Sequence, residues 1–349
     1  MEYRTLGGTG IQVSTLCLGA MNFGGDANSD TDQCVGMIHR ALEAGINFID
    51  TADIYNAGES EQIVGRALQG RRDDVVLATK FHNPMGSDPN RRGNSRRWIM
   101  QAVEESLRRL GTDWIDLYQV HRPDHRTDID ETLGALSDLV HQGKIRSFGL
   151  STYLAHQIVD AHWTAERRGR ERARTEQPPY SIFVRHPERD VLPVCHDHGM
   201  GVLVWSPLNG GWLTGRYRRG EQAPPGSRAA REQSDRRAVR WDESRPEVQR
   251  KYELVEQLLE LAQKAGMSLV HLAQAWPLEH PAVTSAIIGP RTPDQLEDLL
   301  AGADVALDEG LLDAIDRLVP PGTSVDHLDA AERIYDLSRR RRRRTPVSR

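Results

Sequence analysis

The sequence is short of the features that mark a membrane protein, a disulfide scaffold or a metalloprotein. No apolar run approaches the ~20 residues that cross a bilayer. The first ten residues, MEYRTLGGTG, lack the charged and apolar segments of a signal peptide. The three cysteines, Cys17, Cys34 and Cys195, are far apart and form no metal-binding pattern. We therefore expect a cytoplasmic protein that has no disulfide bonds, no metal ion and no membrane partner.

Outside the C-terminus the chain has an excess of negative charge. The 349-residue chain has a formal net charge of −5, yet its last eleven residues contain seven arginines, six of them consecutive from Arg339 to Arg344. Without these seven the chain carries −12, which is unfavourable for binding nucleic acid. Because adjacent like charges repel, we predict a disordered tail over 331–349 after a single domain over 1–330. The rival interpretation of the tail is an anchor for nucleic acid or an acidic partner.

Short aliphatic runs alternate with amphipathic segments along the chain. One such segment, 95–111, places Ile99, Val103 and Leu107 on one face and ends at a glycine, as a helix does. The aliphatic runs number eight, at 15–21, 46–50, 75–80, 115–121, 145–151, 173–177, 201–206 and 284–289. Strands that alternate with helices are typical of a parallel sheet with crossover helices.

Eight such units predict an α/β fold, a closed (β/α)8 TIM barrel. The first dozen residues resemble a small hairpin with GGTG at its turn, and a long polar insert at 214–265 follows the seventh predicted barrel strand. A doubly wound open sheet fits the same periodicity and remains the alternative.

Ionisable residues stand at or after the ends of three predicted strands. Asp50, Lys80 and His121 end their runs, and Tyr55 lies in the loop after Asp50. In a parallel barrel these ends meet at one mouth, where active sites lie. Each residue alone has an ordinary structural explanation, such as a helix cap or a strand-end lysine. Matched chemistry at corresponding positions indicates a catalytic site instead.

Together these four side chains favour proton donation to a carbonyl oxygen. Tyrosine, with a pKa near ~10, is a weak acid at neutral pH, and we expect the ammonium of Lys80 to lower that pKa. Asp50 would fix the lysine, and His121 would hydrogen-bond a substrate oxygen or relay a proton. Because no side chain delivers a hydride, the reaction implies a nicotinamide cofactor.

Five segments of the chain resemble the aldo-keto reductase superfamily in order and spacing, over residues 3 to about 318. They are FIDTADIYNAGESE, LATK, DLYQVHRPD, WSPLNGGWLTGRY and IIGPRTPDQL. The resemblance implies a (β/α)8 barrel that binds NADPH or NADP+ in an extended form. It places the catalytic tetrad on Asp50, Tyr55, Lys80 and His121, whereas Asp53 falls at a variable position and is not expected to be catalytic.

The resemblance also implies a set of cofactor-binding residues. Thr152 stands where asparagine is usual, and Leu299 stands where an asparagine often contacts adenine. The helix expected to begin after Thr292 and the preceding Arg291 are expected to bind the phosphate that distinguishes NADPH from NADH. Besides Asp50, the set is Gly19, Ala20, Met21, Ser151, Thr152, Gln177, Trp205, Ser206, Pro207, Leu208, Gly210, Gly211, Leu213, Gly215, Arg216, Gly289, Pro290, Arg291, Gln295 and Asp298.

Two functions of different classes remain after this comparison. VRHPERDVLP and GPRTPDQL resemble bacterial members akin to the potassium-channel β-subunit, general-stress and deoxysugar-reductase branches. We favour an NADPH-dependent reductase of a small aldehyde or ketone, including a sugar-linked or secondary-metabolite carbonyl. The alternative is a cofactor-sensing regulatory subunit with little turnover. The predicted substrate pocket is aromatic and consists of Tyr55, Phe81, His82, Trp98, His121 and Trp212.

Overall fold

A computed structural model describes residues 1–232 and 236–330, and it is built around a barrel of parallel strands. The tail predicted at 331–349 lies outside the described residues. The strands are β1 (Tyr3–Thr5), β2 (Gln12–Ser14), β3 (Leu16–Gly19), β4 (Phe48–Asp50), β5 (Val76–Phe81), β6 (Ile115–Val120), β7 (Ile145–Ser151), β8 (Thr175–Gln177), β9 (Gly201–Trp205) and β10 (Val283–Ile288).

Strands β3 to β10 close into a barrel in which every neighbouring pair is parallel. Closure occurs at β10, where Ile287 pairs with Cys17 of β3 on one side and with Trp205 of β9 on the other. The predicted (β/α)8 barrel is therefore confirmed, and the open doubly wound sheet is wrong. The antiparallel hairpin β1–β2 is also where the sequence places it.

Helices surround the barrel and connect its strands. The predicted helix at 95–111 forms as α3, where the Ser95 side chain accepts a hydrogen bond from Trp98 N at the start and Gly111 ends the helix with a φ of 64°. The helices are α1 (Thr31–Glu43), α2 (Glu59–Ala67), α3 (Arg96–Leu110), α4 (Ile129–His141), α5 (Ala155–Arg168), α6 (Val191–Asp197), α7 (Arg228–Glu232), α8 (Pro246–Lys264), α9 (Leu269–Ala275), α10 (Pro293–Ala301) and α11 (Glu309–Leu318). Within the described ranges, none of them combines the length and apolarity that a bilayer crossing needs.

The interior of the barrel is filled from its amino end by the hairpin. Leu6 and Val13 of the hairpin region are fully buried and cluster with Cys17 and Phe48 from the first barrel strands. A separate and larger apolar cluster lies between the strands and the helices. The hairpin therefore closes the amino end of the barrel, so a site made of polar side chains is expected at the carboxyl end.

The long insert after β9 packs against the segment that follows α11. Lys251 of α8 is fully buried and bridges Asp326 at 3.3 Å and Asp329 at 2.5 Å. Arg245 pairs with both carboxylate oxygens of Asp326 at 2.9 Å. This cluster ties the insert to the C-terminal segment 326–330.

Stability should depend on this cluster in a pH-dependent way. Burial alone would raise the pKa of Asp326, but its hydrogen bonds with Arg245 and the charge of Lys251 lower it to about 2. The carboxylate thus contributes stability above its unfolded-state pKa, and the contribution is lost as the pH falls through about 2. We expect Asp326→Asn to lower the free energy of unfolding by about 2 kcal/mol near neutral pH, and the difference from wild type to disappear towards pH 2. Asp329 remains to pair with Lys251.

Denaturant unfolding between pH 2 and 7 measures this effect. The matched control is Asp313→Asn, which alters an exposed carboxylate on α11 and should leave the free energy of unfolding unchanged. A pH-independent deficit in the Asp326 variant would contradict an electrostatic origin.

Candidate active site

A cavity of about 350 Å³ opens at the carboxyl ends of the barrel strands. Its wall includes Asp50, Tyr55 and His121 at one end and Arg291, Gln295 and Asp298 at the other. Of the residues predicted to bind a cofactor, those on the wall are Gly19, Met21, Asp50, Ser151, Gln177, Trp205, Ser206, Pro207, Leu208, Gly210, Gly211, Arg216, Gly289, Pro290, Arg291, Gln295 and Asp298. The fold thus gathers residues that are up to 279 positions apart in sequence.

The four residues singled out by their chemistry lie together. Lys80 is fully buried and forms an ion pair with Asp50 Oδ1. Its Nζ also donates to Thr51 O at 2.8 Å and to the Tyr55 hydroxyl at 3.3 Å. The His121 ring meets the edge of Tyr55 with 5.8 Å between ring centroids. The ammonium therefore contacts the phenol oxygen, as proton donation by Tyr55 requires.

The electrostatics of Tyr55 differ from the expectation in one respect. Burial raises the pKa of the Tyr55 phenol above its ordinary value, and the opposing effect of Lys80 is smaller. Burial also lowers the pKa of Lys80, but the charges of Asp50 and Tyr55 raise it above its ordinary value. Tyr55 is therefore fully protonated and Lys80 fully charged at neutral pH. No phenolate is therefore present at rest, although an ammonium at this position can stabilise one that forms when a tyrosine gives up its proton.

Asp50 is held by hydrogen bonds that the sequence did not reveal. Gln119 Nε2 and Gln177 Nε2 each donate to Asp50 Oδ2 at 3.0 Å, while Lys80 binds the other oxygen. Gln177 Nε2 also contacts Gln119 Oε1 at 3.2 Å. Because its amide nitrogen is engaged in this way, Gln177 offers a ligand its amide oxygen. Gln119 was missed, although it lies on β6 two residues before His121, and alternation along the strand places it on the same inward face.

His121 is neutral in this site. Burial, together with the nearby charges of Lys80 and Arg122, holds the pKa of His121 well below its ordinary value. Asn83 Nδ2 lies 3.1 Å from His121 Nδ1, and with the amide as donor Nδ1 is the acceptor. The neutral imidazole then carries its proton on Nε2, which is the atom left to donate to a substrate oxygen.

The opposite end of the cavity is rich in arginine. Arg216 and Arg291, both predicted, are joined on the wall by Arg228 and Arg231 from the insert. The latter two were missed, because the Arg-rich composition of the insert is visible in the sequence but its packing is not. Thr292 caps α10 by accepting from Gln295 N at 3.3 Å, and Pro293 takes the first helical position, as expected. Arg291 Nη1 donates to Gly226 O at 2.5 Å, so the insert is in direct contact with the start of α10.

Some predicted residues lie off the cavity wall. Ala20, Thr152, Leu213 and Gly215 are adjacent to wall residues but do not themselves line the cavity. Leu299, which stands where an asparagine often contacts adenine, does line the cavity. Ser151 lines the cavity while its hydroxyl donates to Gln177 O at 2.9 Å.

The four further aromatic side chains assigned to a substrate pocket do not line this cavity. Phe81 packs on Tyr118 at 4.9 Å between ring centroids, in the layer between strands and helices. Trp98 is fully buried on the inner face of α3. His82 Nδ1 contacts Asn94 Oδ1 at 2.8 Å. Trp212 stacks on Trp241 of the insert, 5.3 Å away. Of the predicted pocket, Tyr55 and His121 line the cavity.

Asp53, not expected to be catalytic, is buried beside the tetrad. Burial together with the charge of Glu61 holds the pKa of Asp53 well above the ordinary value. No group of three or more His, Cys, Asp or Glu side chains in the described ranges is arranged to hold a metal.

The barrel and the Tyr–Lys–Asp–His arrangement define a class of carbonyl-reducing oxidoreductases. A model of the aldo/keto reductase family matches residues 15–320, so the chain belongs to this family, whose members generally use nicotinamide cofactors. It is 40% identical to an uncharacterized oxidoreductase of Bacillus subtilis, YrpG, over 92% of this chain and 97% of the relative.

Two further relatives differ in the functions their names describe. The chain is 37% identical to the aldo-keto reductase YhdN of Bacillus subtilis, over 86% of this chain and 88% of the relative. It is 36% identical to a probable voltage-gated potassium channel subunit beta of Arabidopsis thaliana, over 91% and 97%.

Proposed function

We propose that the protein is an NADPH-dependent reductase of aldehydes or ketones in which Tyr55 donates the proton. The observation that carries the proposal is the chain of contacts from Asp50 through Lys80 to the Tyr55 hydroxyl, on the wall of a cavity of about 350 Å³. The proposal includes the catalytic tetrad, the cofactor-binding set and a small-molecule carbonyl substrate.

The residues on the cavity wall fit a nicotinamide dinucleotide. At the tetrad end, the amide oxygen of Gln177 is an acceptor for a carboxamide, and the indole of Trp205 offers a surface for stacking. Between the two ends, Gly210 and Gly211 have φ values of 67° and 101°, which favour glycine and bring backbone close to the cavity. The arginines at the far end suit an anionic phosphate. When bound here, such a cofactor supplies the hydride.

Side chains of the protein itself carry out the proton transfer. Tyr55 O–H donates to the carbonyl oxygen as that oxygen becomes an alkoxide, and Lys80 stabilises the resulting phenolate. Asp50 keeps the lysine charged and fixed against the tyrosine. His121 Nε2–H, protonated because Nδ1 is occupied, orients the substrate oxygen towards the phenol.

Preference for NADPH over NADH is assigned to the arginine end of the cavity. The two coenzymes differ by one phosphate on the adenosine ribose, so discrimination requires cations or oriented donors. Arg291 stands immediately before the capped start of α10, where free backbone amides also favour an anion. Arg228 and Arg231 on the neighbouring α7 add positive charge.

Arg291→Ala is expected to lower NADPH affinity at least about tenfold, because a charge-assisted hydrogen bond is worth roughly 1.5–3 kcal/mol. NADH affinity should barely change, since NADH lacks the phosphate that Arg291 would contact. Fluorescence titration with both coenzymes measures the effect, and Arg317→Ala on the exposed surface of α11 is the matched control. Equal losses for both coenzymes would refute the phosphate role.

The competing function is that of a regulatory subunit that senses the cofactor with little turnover, and the similarity to a potassium channel subunit beta favours it. The two functions separate in one assay. NADPH oxidation is followed with a panel of carbonyl compounds such as 4-nitrobenzaldehyde. Turnover of any member supports the reductase. Tight NADPH binding without turnover of any member, at protein concentrations that detect slow catalysis, supports the subunit instead.

A further inference from the structure

A buried carboxyl group lies behind the cavity wall, on the strand that carries Gln177. Glu176 is fully buried on β8, and because side chains alternate along a strand it faces the helices while Gln177 faces the cavity. Tyr153 and Cys195, which interact with it electrostatically, belong to the apolar layer between strands and helices. A polar group in such a layer is costly unless hydrogen bonds compensate its loss of water, so its contacts indicate its role.

Glu176 holds the chain where it leaves β7. The main-chain N–H of Tyr153 donates to Glu176 Oε1 at 3.1 Å. One residue earlier, Thr152 has a φ of 60°, a left-handed conformation that β-branched residues rarely adopt. Such a conformation persists where the surrounding contacts enforce it, and the hydrogen bond to Glu176 is one of these contacts. The carboxyl group therefore fixes a turn that begins directly after Ser151.

The same turn is tied to the next residue of β8. The Ser151 hydroxyl donates to Gln177 O at 2.9 Å, and Thr152 N donates to the same oxygen at 3.3 Å. Together with the bond from Tyr153 N, these contacts join the end of β7 to the end of β8. The spacing between Ser151 and Gln177 on the cavity wall follows from this set of bonds.

Both side chains at this point of the wall present hydrogen-bond acceptors to the cavity. Gln177 Nε2 is occupied by Asp50 and Gln119, so the amide oxygen of Gln177 is the atom left for a ligand. The Ser151 hydroxyl donates its proton to Gln177 O, so its oxygen is left to accept. Two neighbouring acceptors match the NH2 of a carboxamide, which has two N–H donors.

We propose that Glu176 is a positioning residue for the carboxamide of a nicotinamide cofactor: by fixing the turn after β7, it holds the acceptors of Ser151 and Gln177 at the spacing that an NH2 group requires. Glu176 faces away from the cavity and acts through the main chain of Tyr153. The inference rests on the proposed function and adds to it a residue that selects the amide substituent of the cofactor ring.

Glutamine is the conservative replacement for Glu176. Burial raises the pKa of Glu176 to about 8, against the opposing effects of main-chain hydrogen bonds from Tyr153 and Thr152 and of the charge of Arg122. The carboxyl group is therefore mostly uncharged at pH 7. Glu176→Gln keeps a neutral acceptor for Tyr153 N, Glu176→Leu removes the acceptor, and Glu176→Asp withdraws it by one methylene.

Three ligands test the inference by calorimetry at pH 7. NADP+ carries the carboxamide, its 3-acetylpyridine analogue has a methyl group in place of the NH2, and adenosine 2′,5′-bisphosphate lacks the ring. Wild type should bind NADP+ more tightly than the analogue. Glu176→Leu and Glu176→Asp should lower NADP+ affinity about threefold to tenfold, reduce the preference over the analogue, and leave bisphosphate affinity unchanged. Glu176→Gln should behave as wild type with all three ligands.

Two control variants separate positioning from packing and surface charge. Cys195→Ala alters the same apolar layer on α6, and Glu166→Leu alters an exposed carboxylate on α5. Both should keep the wild-type preference for NADP+ over the analogue. If Glu176→Leu fails to fold, the comparison of Glu176→Asp with Glu176→Gln decides the question.

Hydrogen exchange of the cofactor-free protein tests the turn without any ligand. The Tyr153 amide should exchange faster in Glu176→Leu than in wild type or in Glu176→Gln, because its acceptor is lost. Equal exchange in all three proteins would show that the carboxyl group does not hold the turn, and the inference would be wrong.

The ligand titrations separate this inference from the proposed function. An unaltered preference for NADP+ in Glu176→Leu, an equal loss of all three ligands, the same loss in Glu176→Gln, or a wild type without preference overturns the inference alone. A wild type that binds NADP+ selectively but reduces no carbonyl compound counts against the reductase function alone. A wild type that binds no NADP+ overturns both.

Discussion

Tyr55→Phe is expected to lower the rate of carbonyl reduction by about 10²–10⁴-fold, the usual contribution of general acid catalysis. The variant removes one oxygen atom and keeps the ring that packs edge-to-face with His121. The substrate oxygen would then have no phenol to take a proton from, whereas the predicted cofactor contacts lie elsewhere on the cavity wall. Turnover and fluorescence quenching by NADPH, measured on the same preparation, separate loss of chemistry from loss of binding.

The matched control for Tyr55→Phe is Tyr118→Phe. The Tyr118 hydroxyl is buried without a hydrogen-bond partner and does not line the cavity. Its removal should leave turnover unchanged and should not destabilise the protein. Near-normal turnover in the Tyr55 variant would show that another group donates the proton.

Lys80→Met is expected to abolish measurable turnover and to lower the free energy of unfolding by about 3–5 kcal/mol. The substitution leaves the Asp50 carboxylate buried, with hydrogen bonds from Gln119 and Gln177 but without a compensating charge. It also removes the cation that stabilises the Tyr55 phenolate. Steady-state kinetics and denaturant unfolding measure the two effects separately.

A second substitution distinguishes the two consequences of Lys80→Met. Adding Asp50→Asn removes the uncompensated charge, so stability should recover while turnover stays absent. Lys144→Met is the matched control, because Lys144 forms its ion pair with Glu104 at the surface and such pairs contribute about 0–1 kcal/mol. If Lys80→Met were as stable as Lys144→Met, the buried pair would not be the structural element that its geometry indicates.

Sequence periodicity predicted eight strand–helix units, including the least obvious strand, but it left a doubly wound open sheet as the alternative to the barrel. The segment 173–177 is hardly aliphatic, and only Thr175–Gln177 forms a strand, yet the eightfold alternation required an element there. The proximity of Asp50, Tyr55, Lys80 and His121 was predictable, since parallel strands place their carboxyl ends on one edge. Residue positions that depend on strand order can be predicted from local sequence patterns, because the burial of apolar residues underlies both the sequence pattern and the topology.

The aromatic residues that do not line the cavity show where sequence reasoning is weaker. Ala78 belongs to the cluster inside the barrel and Lys80 points the same way, so Phe81, one residue further, faces the helices. Strict alternation along β5 would have excluded Phe81 from the cavity. Trp212 could not have been placed in this way, because its partner Trp241 lies in the insert, whose packing depends on contacts far apart in sequence. The same holds for Arg228 and Arg231.

The hairpin β1–β2 gives the barrel the form of a cup. With Leu6 and Val13 packed beneath Cys17 and Phe48, the amino end is solid in the described structure, and the cavity is reached from the carboxyl end. Two ligands that bind in such a cavity must pass through the same opening. The ligand that binds deeper in the cavity must therefore enter first and leave last, so the closed amino end of the barrel imposes an order on binding and release.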